Sequence, residues 1–221
     1  MTQLAHALYL HGFASGPLTQ KGQRLGERLR GAVASYAIPD LEAGDFPGLT
    51  MTAILARARA AVAALPDDGA PLLLVGSSLG GYCAALLAAE LPRISAVLAI
   101  APAFRFPRFF AERLGADGLA RWRATGALPW FHHGAQQELP LGVAFLDSCA
   151  GLPELPPPPR AAPVAIVHGW QDETVPWRVS LDYAAQAPER IALHLIPGDH
   201  RLTAPETEQV IAEAALALLR R

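Results

Sequence analysis

Cysteine is scarce in this sequence: Cys83 and Cys149 are the only two in 221 residues. That excludes a disulfide scaffold, and their spacing fits no zinc motif. Both read as small buried apolar residues. An excess of either charge is also missing. Eighteen Lys and Arg stand against twenty Asp and Glu, a net charge of -2, so the basic footprint of a nucleic-acid binder is absent. No run of about 20 uninterrupted apolar residues occurs, and no membrane-spanning helix is expected. The apolar run Ala7-Leu8-Tyr9-Leu10 is too short for a secretory leader and lacks a basic stretch before it. Charged residues make up only 17% of the chain and hydrophobic ones 52%, which excludes disorder. The expectation is a single domain over residues 1–221, soluble in a reducing, cytoplasmic compartment.

What is present is an alternation of short apolar runs with helical patterns. Strands are expected at Ala7 to Leu10, Ala32 to Ile38, Leu72 to Val75, Ala96 to Ile100, Val164 to Val167 and Ala192 to Ile196. Leu72 to Val75 is apolar at every position, which requires cover on both faces, as in a parallel sheet between helices. Helices are expected around Leu18 to Leu29, Met51 to Leu65, Leu79 to Leu91 and Trp177 to Gln186, with a final one opening at Thr203-Ala204-Pro205-Glu206. Thr203 and Glu206 are spaced as a capping box for the last one. The fold class is therefore α/β, a mostly parallel sheet of about six strands with helices on both faces. Residues 103–150 interrupt the alternation without an evident strand. They are rich in aromatics: Phe104, Phe106, Phe109, Phe110, Trp122, Trp130 and Phe131. The segment reads as a small inserted helical cap; the alternative is an ordinary crossover whose aromatics fill core.

The chemistry concentrates at Gly76-Ser77-Ser78-Leu79-Gly80, a G-x-S-x-G between a buried strand and an Ala/Leu-rich helix. A sharp strand-to-helix turn needs glycines where side chains would meet the neighbouring helix or strand, and it lifts the central serine above the sheet edge. Ser77 competes with Ser78, but only Ser78 has the motif's frame. A serine hydroxyl needs a base and an orienting acid. Asp172 follows the strand ending near Val167, and His200 follows the one ending near Ile196, each past the carboxyl end of a strand where such sheets carry their sites. Glu173, Asp199 and Asp147 compete with Asp172; Asp199, beside His200, reads rather as a turn-former. His11 and His168 read as structural, and His132-His133 as cap surface, with no third ligand for a metal. Backbone donors for an oxyanion are expected from Leu79 and from Phe13 in the His11-Gly12-Phe13 loop. Phe104, Phe106 and Trp130 are the candidate lining of an apolar substrate pocket.

The segments Tyr9-Leu10-His11-Gly12-Phe13-Ala14-Ser15 and Val75-Gly76-Ser77-Ser78-Leu79-Gly80-Gly81-Tyr82 resemble the small bacterial YqiA-like esterases of the α/β-hydrolase superfamily. The stretches from His168 to Trp177 and from Gly198 to Leu202 are similar to the α/β-hydrolase-domain depalmitoylases. The resemblance implies an α/β-hydrolase fold and triad roles for Ser78, Asp172 and His200, with Phe13 and Leu79 as oxyanion donors. It implies hydrolysis of a small-molecule carboxylic ester or acyl thioester without a cofactor or metal. A peptidase or C–C bond hydrolase could run on the same groups, and a non-catalytic ligand-binding protein could keep the fold.

Overall fold

The computed structural model describes residues 4–220. In chain order the elements are β1 (Ala5–Leu10), α1 (Gln20–Arg28), β2 (Val33–Ala37), α2 (Met51–Ala63), β3 (Leu72–Ser77), α3 (Leu79–Glu90), β4 (Ala96–Ile100), α4 (Phe106–Thr125), β5 (Ala127–His132), β6 (Gln137–Gly142), α5 (Val143–Ser148), β7 (Val164–Gly169), α6 (Arg178–Ala184), β8 (Ile191–Ile196) and α7 (Pro205–Leu219). Six strands pair side by side in the order β2-β1-β3-β4-β7-β8, all parallel.

The continuous apolar runs have the cause expected of them. Every residue of β1, β3, β4 and β7 is buried, because successive side chains point to opposite faces and both faces are covered. Leu8, Leu10, Leu72, Leu74, Val97, Ala99 and Ile166 enter one core with α2, α3, α4, α5 and α6. Their neighbours Ala7, Tyr9, Leu73, Val75, Leu98, Ile100 and Val167 enter the other, with α1 and α7. The edge strands β2 and β8 are only partly buried.

Register sets the site. Leu10 pairs with Gly76, Ser77 with Ile100, and Gly169 with Ile196. The carboxyl ends of β1, β3 and β7 with β8 therefore finish along one rim, and the loops that leave them are neighbours.

Two expectations need correction. The segment between β4 and β7 is not purely helical. After α4, broken at Gly115 (φ 64°), it forms an antiparallel hairpin of β5 and β6 before the short α5. Both hairpin strands carry a proline, Pro129 opposite Pro140. Proline cannot donate to a ladder and is tolerated in such an edge pair, which hides the strands from a reading by pattern. The capping box at Thr203 does not form either. Helix α7 starts at Pro205 with Ala204 as its cap residue and no side-chain cap. Proline at the first helical position needs no acceptor for the N–H it lacks, and Thr203 lies one residue too early. No helix among the described residues is long and apolar enough to cross a membrane.

Candidate active site

Ser78 is the joint between β3 and α3, and its backbone is strained: φ 55°, ψ -119° in a non-glycine residue. Such a conformation costs on the order of 1–3 kcal/mol and persists only where the surroundings over-determine it. They do so here. The Ser78 N–H donates to Ile100 O at 2.9 Å, and Ser78 O accepts from Gly81 N at 2.9 Å, Tyr82 N at 3.2 Å and Ala103 N at 2.9 Å. The flanking glycines are steric necessities. A methyl group at Gly76 would overlap the Gly80 carbonyl, and one at Gly80 would overlap the Leu10 carbonyl.

The loop after β8 brings His200 over this joint. Its Nε2 lies 3.0 Å from Ser78 Oγ, and its Nδ1 lies 2.7 Å from Asp172 Oδ2. Asp172, in the loop after β7, has a fully buried side chain. Its other oxygen, Oδ1, accepts from Thr174 N at 2.9 Å and Val175 N at 2.8 Å. Burial pushes the Asp172 carboxyl up, but the hydrogen bonds of His168 and His200, the charge of His200 and the Val175 N–H outweigh it and hold the group well below the usual carboxylate range. An ionised carboxylate only accepts, so the His200 proton belongs on Nδ1 and leaves Nε2 free to take the Ser78 proton. The structure thus brings Ser78, His200 and Asp172, successive members separated by 122 and 28 residues in sequence, into one hydrogen-bonded line.

Competing residues lie elsewhere or do other work. Glu173 is exposed. Asp199 accepts from Arg201 N and Leu202 N and shapes the turn that carries His200. Asp147 pairs with Arg123 at the surface. His11 donates from Nδ1 to Gly12 O and accepts the Leu41 N–H on Nε2, bracing its loop as read from the sequence. Burial pushes its imidazole down, against the Gly12 hydrogen bond and the nearby Glu42.

Leu79 is the first residue of α3, so its N–H has no acceptor inside the helix. Gly12 abuts Ser78: a methyl added there would stand 3.4 Å from Ser78 Cβ. Phe13, next to it, turns its ring into a cluster with Phe46, Phe106, Phe110, Trp130 and Phe145, centroids 5.1–6.1 Å away. Phe106 is buried and Trp130 half-buried within this group. Phe104 lies apart, buried against Tyr183 with centroids 4.2 Å apart.

Five contacts escaped the sequence reading. His132 is not surface; it is buried and meets Glu42 Oε2 at 2.6 Å, while Glu42 Oε1 accepts from Ser15 N at 3.3 Å. The hairpin tip also donates from His133 N to Ala14 O at 2.8 Å. His168, taken as structural, touches Asp172 directly; its place four residues before Asp172 was the available signal. Lys21 of α1 donates to Ser77 Oγ at 3.2 Å. Burial lowers its ammonium to about 8 against the opposing pull of Asp172, Asp199 and Glu208. No group of three or more His, Cys, Asp or Glu among the described residues could hold a metal ion.

Comparison with known proteins agrees with this architecture. The Uncharacterised protein family (UPF0227) matches residues 6–213. No curated protein sequence matches the chain. Among solved structures, alpha/beta hydrolase domain-containing protein 10 from mouse superposes with a TM-score of 0.79 at 22% identity, over 100% of this chain and 91% of that one. Est1E from Butyrivibrio proteoclasticus gives 0.78 at 22%, over 100% and 90%. The esterase domain of a Rhodothermus marinus protein gives 0.66 at 20%, over 100% and 88%. The fold is that of the α/β hydrolases.

Proposed function

The chain belongs to the UPF0227 family, and from that premise we propose that it is a serine hydrolase of carboxylic esters or acyl thioesters, working through Ser78, His200 and Asp172. The observation that carries the reading is the line of two hydrogen bonds, 3.0 Å and 2.7 Å, joining a strained, glycine-flanked serine through one imidazole to a buried carboxylate. His200 Nε2 takes the Ser78 proton as Oγ attacks the acyl carbonyl. Negative charge gathers on the carbonyl oxygen, where the Leu79 and Phe13 N–H groups receive it at the positive end of α3. The imidazolium, steadied by Asp172, returns its proton to the leaving alcohol or thiol. Water, deprotonated by the same imidazole, then releases the acid and restores Ser78.

Residues 103–150 serve as the cap of a single hydrolase domain in this reading. Phe106 and Trp130, in the ring cluster around Phe13, favour an apolar acyl group beside the oxyanion donors. The free, buried Cys83 and Cys149 fit a reducing, cytoplasmic setting. The test is Ser78→Ala. It should abolish hydrolysis of p-nitrophenyl esters and acyl thioesters without altering the circular dichroism spectrum, and a fluorophosphonate should label the native chain but not the variant. Undiminished turnover by a folded Ser78→Ala protein would overturn the assignment.

A further inference from the structure

Asp172 Oδ2, the oxygen that holds His200, has a second imidazole on it. His168 Nε2 lies 3.0 Å from Oδ2 and 3.1 Å from Val175 O. Both are acceptors, so Nε2 carries a proton. Its other nitrogen, Nδ1, is 2.7 Å from the buried Ser180 Oγ, whose hydroxyl is free to rotate and donate. The His168 ring has no exposed surface. It is a fixed N–H donor with no route to substrate.

We propose that His168 is a positioning residue: by filling the second acceptor site of Asp172 Oδ2, it sets how strongly that carboxylate pulls on the His200 imidazole during turnover. The proposal rests on the reading of Ser78, His200 and Asp172 given above. With His168, Thr174 and Val175 in place, three of the four donors on Asp172 keep a constant charge, and only the fourth, His200 Nδ1–H, belongs to a ring that gains and loses a proton at Nε2 in the cycle. The carboxylate cannot rotate without breaking bonds to a strand end and a turn. Its charge is divided between two N–H groups on one oxygen, which weakens its hold on either. Removing the His168 donor returns that share to His200 and stabilises the imidazolium before substrate attack. Other charged and titratable groups facing the pair are Lys21 from α1, itself facing Glu208 of α7, His133 from the hairpin tip, and Asp199 and Arg201 beside His200. All of them stay unchanged in the variants below.

The experiment is the pH profile of kcat/KM on a p-nitrophenyl ester for the native chain, His168→Met, His168→Gln and Ser180→Ala. His168→Met should move the acid limb to higher pH by about one unit, the worth of one hydrogen bond to a charged group. His168→Gln, whose amide N–H reaches toward the Nε2 position, should restore the native limb. Ser180→Ala disturbs the same buried pocket but leaves Nε2–H on Asp172, so its limb should stay native. An unshifted limb in folded His168→Met, or an equal shift in Ser180→Ala, overturns the proposal. If His168→Met does not fold, nitrogen-15 spectra of the native chain decide: a proton on His168 Nε2 and none on Nδ1 is required, and the reverse overturns it. Loss of activity in Ser78→Ala with no shift in His168→Met defeats this inference alone. Retained activity in Ser78→Ala defeats the reading beneath it.

Discussion

Replacing Asp172 with asparagine changes one atom and forces a choice. The carboxylate accepts from His200 Nδ1, His168 Nε2, Thr174 N and Val175 N, two donors on each oxygen. A carboxamide offers one oxygen, and its NH2 must face a pair of donors. The backbone amides cannot change character, so the oxygen goes to Thr174 and Val175 and the NH2 turns to the imidazoles. His168 cannot adapt without leaving Val175 O undonated. His200, 22% exposed at its side chain, can: its proton moves to Nε2, facing Ser78. An imidazole in that tautomer cannot accept the serine proton. By the size of the wrong-tautomer effect in unrelated serine hydrolases, kcat/KM should fall about 10⁴-fold, near 5 kcal/mol of barrier. The frustrated donors should cost a further ~1–3 kcal/mol of stability. The sign of the pH dependence follows from the depressed Asp172 carboxyl. Its contribution is full above the ordinary carboxylate value, about 4, and fades as pH falls below it. The stability gap between the native chain and Asp172→Asn should therefore be wide at neutral pH and close in acid. Ester hydrolysis with urea titrations at several pH values reads both. A folded Asp172→Asn protein within tenfold of native activity would refute the reasoning.

Gly76→Ala places a methyl 2.6 Å from Gly81 N, against backbone that cannot yield. It should cost about 4 kcal/mol or more in urea unfolding, or prevent folding outright. Phe110→Ala empties a fully buried site amid rings of Phe13, Phe106, Phe109, Trp122, Trp130 and Phe145, and should cost about 3–5 kcal/mol in the same assay. Lys21, lowered to about 8 mainly by burial, binds its proton less tightly folded than unfolded. Native stability should thus gain from this residue as pH rises from about 8 to about 10.4. The stability of Lys21→Met relative to native should decline over that window, and a constant difference in thermal unfolding would contradict it.

The sheet and the serine joint were legible because each obeys a local rule. Leu72 to Val75 is apolar throughout since both its faces are covered, and the glycines around Ser78 stand where backbone approaches too closely for a Cβ. His200 and Asp172 were legible as residues following strand ends. The hairpin was not, since Pro129 and Pro140 suppress the strand signal while pairing opposite each other. Nor was Glu42, which lies in a loop with no periodicity; its partners Ser15 and His132 are 27 and 90 residues away. Buried polar pairs of that kind leave no trace in spacing, because their geometry is a product of the assembled chain.

The Glu42 bridge ties the β5–β6 hairpin to the loop that follows β1. One oxygen grips the strip of backbone after Phe13 and the other grips the hairpin, while His132 Nδ1 accepts from Ala135 N and fixes its own ring. Displacing the hairpin would strand a sequestered carboxylate and tug on the strip of backbone proposed to hold the oxyanion. Under the proposed mechanism, the seating of the hairpin and the seating of the Phe13 N–H are thereby geared together through one side chain, and Glu42→Gln should loosen both at once.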